Sequence, residues 1–158
     1  MSAAKAALSP QTSVGKLKIV NLHTGERFHD VFREGGTYVP DAIAELEVVL
    51  RDHRTGDTHP IDPRLFDWMA SLRSRLEGKE FGIISGYRSP KTNAMLQANS
   101  NGVAKRSKHM DGKAIDLRLS GVDTFKLRQL AIKDQRGGVG YYAKSDFVHL
   151  DTGRPRFW

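Results

Sequence analysis

Apolar residues recur along the chain with two periods, one typical of β-strands and one typical of α-helices. The apolar residues of 16–22 lead to Thr24-Gly25, and β-forming residues follow toward Gly35-Gly36, so this region predicts a β-hairpin. Further short apolar runs predict four more strands, at residues 81–85, 114–119, 139–143 and 147–150. Three residues separate the last two runs, which is the length of a tight hairpin connection.

Four other segments carry helical signals. Asp62-Pro63 and Ser89-Pro90 each combine a residue that caps free amide groups with a proline suited to the first helical position. Pro40 opens another predicted helix, and Asp123 can cap a fourth. Apolar side chains repeat at helical spacing in three of these segments: Ile43, Leu46, Val49 and Leu50; Leu65, Met69, Leu72 and Leu76; and Phe125, Leu127, Leu130 and Ala131.

Strands and helices are therefore interspersed, with hairpins near both ends of the chain. This order predicts an α+β fold in which helices flank a mainly antiparallel sheet. A chain of 158 residues has the size of one compact domain, which we expect over residues 16–158. Residues 1–15 are mostly small and polar, and they are expected to form a flexible tail.

The composition excludes several classes of chemistry. The chain contains no cysteine, which excludes thiol catalysis, cysteine-based zinc fingers, iron–sulfur clusters and disulfide scaffolds. Any metal site must therefore use His, Asp or Glu. The longest apolar stretches fall well short of the roughly 20 residues that a membrane span requires, so no span is expected. Residues 1–10 also lack the apolar segment of a signal peptide.

The net charge of +7 is concentrated in the second half of the sequence. Residues 1–79 carry 11 basic and 11 acidic side chains, whereas residues 80–158 carry 14 and 7. Such a basic half either attracts a polyanion, which includes nucleic acid, an anionic membrane surface or a carboxylate-bearing polymer, or serves solubility. Basic and aromatic residues are not interleaved as in a base-stacking platform, so nucleic acid is not an expected partner.

Three residues are candidates for metal binding. His109 lies in a polar, glycine-bordered segment, and Asp116 follows within an apolar strand, where an unpaired carboxylate is costly to bury. His149 lies between apolar residues of the last predicted strand. Two histidines and a carboxylate can supply three ligands of a catalytic zinc and leave a fourth position for water. The alternative is that Asp116 forms a structural ion pair with Arg118 or Lys113.

Asp151 follows His149 by two residues, on the same face of the predicted strand, and has two interpretations. It is either a carboxylate that orients a ligand imidazole or an ordinary acid at a strand end. Packing is the favoured interpretation for the aromatic residues Tyr141, Tyr142 and Trp158, with a substrate groove as the alternative. No metal role is expected for the other four histidines: His23, His29, His53 and His59.

Three motifs in a fixed order give the sequence a family resemblance. Residues 107–116 read SKHMDGKAID and are similar to the S-x-H-x-x-G-x-A-x-D motif of the D-Ala-D-Ala metallopeptidase family, which shares its fold with the Hedgehog signalling domain. Residues 145–151 (SDFVHLD) and 85–89 (SGYRS) resemble the second ligand motif and the arginine motif of that family. The N-terminal hairpin and residues 52–56 (DHRTG) further resemble its murein L,D-endopeptidase branch.

The resemblance implies a role for five residues. It implies a zinc ion (Zn2+) bound by His109, Asp116 and His149. It further implies that Asp146 is the general base and that Arg88 steadies the substrate carbonyl or the developing oxyanion. An arginine suits that task because its guanidinium is always cationic and shaped as a planar fork.

The implied activity is hydrolysis of peptide cross-links in bacterial peptidoglycan by a zinc endopeptidase of the L,D type. The enzyme would bind peptidoglycan peptide stems and would act as a monomer. It would be located in the periplasm or another exported compartment. Lys144 stands where related carboxypeptidases commonly carry histidine, and Asp146 where related dipeptidases carry glutamate. The alternatives are therefore a D,D-carboxypeptidase or D,D-endopeptidase of the same fold, and a non-catalytic module that binds the cell wall.

Overall fold

The computed structural model describes residues 13–158, which form one eight-stranded sheet and four α-helices. The strands are β1 (Val14–Asn21), β2 (Arg27–Glu34), β3 (Thr37–Tyr38), β4 (Phe81–Ser85), β5 (Ala114–Leu119), β6 (Gly138–Tyr142), β7 (Phe147–Asp151) and β8 (Arg156–Phe157). The helices are α1 (Pro40–Val49), α2 (Pro63–Arg75), α3 (Pro90–Asn99) and α4 (Thr124–Asp134), and a short 3-10 helix, Lys108–Asp111, precedes β5. The predicted α+β class is confirmed, and the two-residue strands β3 and β8 are additional.

The sheet is mixed, which corrects the expectation of a mainly antiparallel one. Its strand order is β3-β2-β1-β4-β5-β7-β6-β8. Strands β1 and β4 pair in parallel, as do β6 and β8, and the other neighbours are antiparallel. Strand β4 runs parallel to β1 because the chain crosses over through α1 and α2 between them. Strand β8 pairs with β6, skipping the strand that precedes it. The periodicity of apolar residues within one strand does not show which strand it pairs with, so neither parallel pairing could be predicted from it.

The predicted helix starts agree with the structure. Asp62, Ser89 and Asp123 each accept a hydrogen bond from a backbone N–H in the first turn of the following helix. Such caps satisfy amide groups that have no partner within the helix. The apolar face predicted for α4 differs from the observed one at Phe125. This side chain is 44 % exposed and packs edge-on against Tyr141 instead of entering the core.

Helices α2 and α4 pack against one face of the sheet and form the core with it. Ile115, Leu117 and Leu119 of β5 point into this core, as do Val148 and Leu150 of β7. Side chains of a strand alternate between its two faces, so the polar residues between them belong to the opposite face. The candidate ligands on β5 and β7 therefore lie on the side of the sheet that α2 and α4 leave uncovered.

The N-terminal boundary lies slightly earlier than the pattern predicts. Strand β1 begins at Val14, within the expected tail, and residues 1–12 lie outside the described part of the chain. Among the helices formed by residues 13–158, none combines the length and the apolar character needed to cross a bilayer.

Candidate metal centre

The register between β5 and β7 brings two of the three candidate ligands together. Asp116 pairs directly with His149 across this antiparallel ladder. Nδ1 of His149 lies 2.9 Å from Oδ1 of Asp116, and Asp116 is 7 % exposed. A carboxylate between apolar neighbours is thus buried beside an imidazole, as the cost of leaving it unpaired requires.

His109 reaches the same carboxylate from the 3-10 helix. Nε2 of His109 lies 3.1 Å from Oδ1 of Asp116, and the ring is 2 % exposed. The hydroxyl of Ser107 caps this short helix by accepting a hydrogen bond from the backbone N–H of His109. Gly112 ends it in the left-handed region, with φ of 66°, where a Cβ would come within 1.9 Å of the Pro60 carbonyl oxygen. Only glycine fits this position, which explains the glycine of the motif.

The three side chains form a compact donor set. One potential ligand atom from each of His109, Asp116 and His149 lies within 4.8 Å of the other two. The outer nitrogen of each ring is already engaged: Nδ1 of His109 donates to the Gly86 carbonyl oxygen at 2.8 Å, and Nε2 of His149 donates to Oδ2 of Asp151 at 2.8 Å. When the outer nitrogen carries the proton, the inner nitrogen presents its lone pair to the centre of the cluster. The set therefore fits a metal ion.

The electrostatics of the cluster favour a cation. Burial disfavours the charged form of His149, but hydrogen bonds to Asp116 and Asp151 outweigh it and raise its pKa to about 9. Burial also disfavours the charged form of Asp116 and acts to raise its pKa. His109 and His149 outweigh this effect and hold the pKa of the carboxyl well below the usual range. Two buried carboxylates thus attract positive charge to one imidazole, and a divalent cation can satisfy them in place of a proton.

Arg88 lies at the edge of this cluster, just after β4. Its Nη2 is 4.0 Å from Oδ2 of Asp116, and its Nη1 donates to Oδ1 of Asn93 at 3.2 Å. The guanidinium side chain is 13 % exposed, and burial lowers its pKa against the opposing effect of Asp116. Within the described residues, Arg88 and the two histidines are the basic partners of Asp116, whereas Arg118 and Lys113 form no ion pair with it. The structural alternative for Asp116 is therefore not observed.

The segment that contains Asp52 fixes the backbone around Arg88. Asp52 is 2 % exposed, and its carboxylate accepts hydrogen bonds from the backbone N–H groups of Arg54 and Ser89. The N–H of Tyr87 donates to the Leu50 carbonyl oxygen on the same segment. Residues 52–56 thus hold the turn between β4 and α3 in place, which gives a structural reason for the motif there.

Asp146 is the one predicted site residue that the structure does not bring to the cluster. It lies in the turn before β7 with φ of 55°, and its Oδ1 accepts a hydrogen bond from Oγ1 of Thr124 at 2.5 Å. It lines a separate depression beside Glu80 and Arg118. The expected position beside the donor set is therefore not observed, and the carboxylate is hydrogen-bonded to the first residue of α4 instead.

A cavity of about 540 Å³ opens onto the cluster. His109, Asp116 and His149 lie in its wall, together with Arg88, Asp151, two cationic side chains of residues 106–108, and three residues near the C-terminal strands: Tyr142, Arg156 and Trp158. The indole N–H of Trp158 donates to the Tyr142 hydroxyl at 3.1 Å, and the Trp158 ring lies 5.2 Å from that of His149.

The sequence favours packing for Tyr142 and Trp158, but in the structure they line the cavity. Each projects from an edge region of the sheet, 38 % and 46 % exposed respectively. Trp158 lies on the same side of the chain as Arg156, whose guanidinium is 5.1 Å from its ring centroid, but a two-residue strand leaves no periodic signal for this in the sequence. The other four histidines lie outside the donor set: His23 stacks on His53, His29 contacts Glu80, and His59 stacks on Tyr87.

Comparison with known proteins assigns the chain to a family. A family model described as Peptidoglycan L,D-endopeptidase MepK matches residues 9–158. The chain belongs to this family. A relative of that name from Escherichia coli (strain K12) is 43 % identical over 143 residues, covering 90 % of this chain and 79 % of the relative. A second, from Haemophilus influenzae and named probable peptidoglycan L,D-endopeptidase MepK, is 42 % identical over 140 residues, covering 87 % and 75 %. The predicted L,D-endopeptidase branch of the D-Ala-D-Ala metallopeptidases is confirmed.

Proposed function

We propose that this chain is a zinc-dependent endopeptidase that hydrolyses L,D-type peptide cross-links of bacterial peptidoglycan. The observation that carries the proposal is the donor set of His109, Asp116 and His149 in the wall of the cavity. Membership of the MepK family, and the activity for which its relatives are named, supply the substrate class.

The donor set suits zinc better than the common hard cations. Two imidazoles and one carboxylate match a catalytic zinc site, whereas calcium and magnesium favour ligand sets made of oxygen. Bound there, a zinc ion would lower the pKa of a water molecule toward neutrality and polarise the scissile carbonyl. His109 and His149 are prepared for this role, because their outer nitrogens are already hydrogen-bonded.

Arg88 is proposed to bind the carbonyl oxygen of the scissile peptide. Asn93 holds one arm of its guanidinium, and the other arm is directed toward Asp116 at the cavity wall. Negative charge develops on the carbonyl oxygen as the bond to the attacking water forms, so a fixed cation beside it stabilises the transition state more than the substrate.

Asp146 is proposed as the proton acceptor, in a side-chain rotamer released from Thr124. The carboxylates among the described residues that line the cavity are Asp116 and Asp151, and each already binds a histidine. A separate acceptor for the proton of the attacking water must therefore approach from the rim. Asp146 lies three residues before His149 at the entrance to β7, and turning its side chain breaks one hydrogen bond to Oγ1 of Thr124.

The proposed substrate also sets the location and the mode of encounter. Peptidoglycan lies outside the cytoplasmic membrane, so we propose that the mature protein acts in the periplasm or another exported compartment. The excess positive charge of residues 80–158 would attract the carboxylate-rich wall. One chain supplies all the residues of the proposed site, so a monomer suffices for activity.

The deciding experiment combines metal analysis with product analysis. Purified protein is assayed for zinc content, then incubated with isolated muropeptides cross-linked either in the L,D or the D,D manner, and the products are identified by mass. We expect one zinc per chain and cleavage of the L,D cross-link. Cleavage of D,D bonds or release of terminal D-Ala would assign the alternative peptidase activity. Binding to the wall without cleavage would show a non-catalytic module.

A matched pair of variants controls this experiment. His149→Ala removes a proposed ligand, whereas His29→Ala removes a histidine of the sheet surface that lies outside the cluster. The proposal requires loss of zinc and activity in the first and wild-type behaviour in the second.

A further inference from the structure

Asp151 is the most fully hydrogen-bonded acid near the cluster. It is 0 % exposed, at the end of β7, two residues after His149. Its Oδ2 accepts from Nε2 of His149 at 2.8 Å and from Nη2 of Arg156 at 2.9 Å. Its Oδ1 accepts from Nη1 of Arg156 at 3.0 Å and from the backbone N–H groups of Gly138 and Gly153 at 3.2 and 2.9 Å. Five donors thus fix both oxygens of one carboxylate.

The backbone around Asp151 is built to admit this carboxylate. A Cβ at Gly138 would lie 2.5 Å from Oδ2 of Asp151 and 2.3 Å from Nη1 of Arg156. A Cβ at Gly153 would lie 2.9 Å from Oδ1. Side chains at either position would displace the carboxylate or the guanidinium, so the two glycines leave the space that Asp151 and Arg156 occupy.

Arg156 neutralises the buried charge and holds its plane. The guanidinium forms a bidentate contact with both oxygens of Asp151, and this geometry fixes the orientation of the carboxylate. It also lies over the Trp158 ring, at 5.1 Å from the centroid, and the ring in turn lines the cavity. The carboxylate is therefore held from behind by Arg156 and directed toward His149.

We infer that Asp151 is a positioning residue which, held by Arg156, fixes the tautomer and ring orientation of His149 so that Nδ1 faces the metal position. The inference rests on the proposed function, since it concerns the same metal. It deepens that function by assigning a role to a residue outside the donor set. His109 is oriented differently, because its outer nitrogen donates to the carbonyl oxygen of Gly86. A carboxylate partner raises the basicity of a ligand imidazole further than a carbonyl does.

The test uses Asp151→Asn and a matched control, Asp134→Asn. Asp134 is bonded in the same manner, since its carboxylate accepts two hydrogen bonds from Arg75 and one from the indole N–H of Trp68, but it lies at the end of α4, outside the lining of the cavity. Both changes remove one negative charge and preserve side-chain size. Zinc affinity is measured by competition with a chromophoric chelator, and the melting temperature is measured with and without zinc.

The two roles predict different results. A positioning role predicts that Asp151→Asn binds zinc roughly 10- to 100-fold more weakly and gains less thermal stability from zinc, with a fall in kcat at nearly constant KM. Asp134→Asn is expected to lower the melting temperature with and without zinc, and to leave the affinity within about twofold of wild type. If Asp151→Asn only lowers both melting temperatures and keeps wild-type affinity, the residue is structural and the inference is overturned.

A second variant covers the case in which Asp151→Asn does not fold. Arg156→Gln leaves the carboxylate on His149 but removes its two-pronged support, and we expect a loss of zinc affinity smaller than that of Asp151→Asn. Wild-type affinity in Arg156→Gln, when Asp151→Asn does not fold, would overturn the inference. The wild-type protein separates this inference from the proposed function: absence of zinc binding in it would refute both, whereas zinc binding that is equal in wild type and Asp151→Asn would refute the inference alone.

Discussion

Asp116 and His149 face each other across two neighbouring antiparallel strands, with Nδ1 of the imidazole 2.9 Å from Oδ1 of the carboxylate. The pairing register of β5 and β7 therefore determines whether the donor set exists. A shift by one residue would turn one of the two side chains to the other face of the sheet. The apolar residues on either side of both ligands specify this register, because they must face the core.

Loss of one ligand should remove the metal and the activity together. In His149→Ala, we expect zinc content to fall well below one per chain, because two remaining donors hold the ion weakly, and hydrolysis to fall with it. Zinc content by mass spectrometry and cleavage of a cross-linked muropeptide are measured on the same sample. Full activity in a zinc-free preparation would contradict the metal-dependent mechanism.

Loss of the proposed base should separate activity from metal content. Asp146→Asn preserves side-chain size but cannot accept a proton, so zinc should stay bound while kcat falls by roughly 10²- to 10⁴-fold. Thr124→Val removes the hydroxyl that holds Asp146 away from the cluster, and activity should be kept or increased. Near-wild-type rates in Asp146→Asn would identify it as a turn residue bonded to α4.

Replacement of Arg88 should affect the transition state more than the binding of substrate. Arg88→Lys keeps the charge but loses the planar fork, and a lost oxyanion contact predicts a fall of roughly 10²- to 10³-fold, chiefly in kcat. Arg64→Lys, at an arginine outside the lining of the cavity, is the matched control and should change kcat less than twofold. A change confined to KM in Arg88→Lys would indicate that the residue binds the substrate and the transition state equally well.

Local spacing predicts the donor set only as one of two alternatives, and the family resemblance adds Arg88 and Asp146. Ser107, His109 and Gly112 lie in and beside one short helix, and each has a local role there: an N-terminal cap, a candidate ligand and a left-handed end. Asp116 and His149 each interrupt an apolar strand, and the cost of burying them is visible from their neighbours. These features depend on residues close together in the sequence, so they can be predicted without knowledge of the fold.

The features that were missed depend on contacts between distant residues. The hydrogen bond that holds Asp146 joins it to Thr124, 22 residues earlier in the chain. Strand β8 has two residues, too few to show a period, yet its pairing with β6 brings Trp158 to the cavity. The parallel pairing of β1 with β4 likewise follows from a long crossover. Spacing within one segment cannot reveal any of these.

Basic residues near the cavity should contribute to wall binding and to substrate binding. Arg106 and Lys108 line the cavity, and Lys105 is exposed beside them. Replacing all three with alanine should weaken sedimentation with intact sacculi and raise KM for soluble muropeptides. Replacing the exposed residues Lys126 and Lys133 of α4 should weaken only sedimentation, and the difference from wild type should shrink as the salt concentration rises, because exposed charges are screened beyond about 8 Å at physiological salt. Equal effects of the two variants on KM would contradict the role of the cavity cations.

The ion pair at the end of α4 should make stability depend on pH. Burial acts to raise the pKa of Asp134, but hydrogen bonds from Arg75 and Trp68 outweigh it and lower the pKa below its ordinary value. A depressed folded-state pKa stabilises the protein above the unfolded-state value of about 3.9, and this contribution is lost as the pH falls through the folded-state pKa. Asp134→Asn should therefore lower the free energy of unfolding at pH 7 by about 1–3 kcal/mol. The difference from wild type in urea denaturation should shrink below pH 4, and a constant difference would contradict this prediction.

The position of β7 in the sheet determines when, during translation, the candidate ligands can come together. This strand lies between β5 and β6, both of which precede it in the chain, so it joins the sheet by insertion between two strands rather than by addition to an edge. Until residues 147–151 have left the ribosome, the growing chain contains His109 and Asp116 but lacks His149 and the carboxylate behind it. The proposed metal centre is therefore complete only after β7 has been synthesised, and on the proposed mechanism a chain that stops before this strand does not cleave peptide bonds.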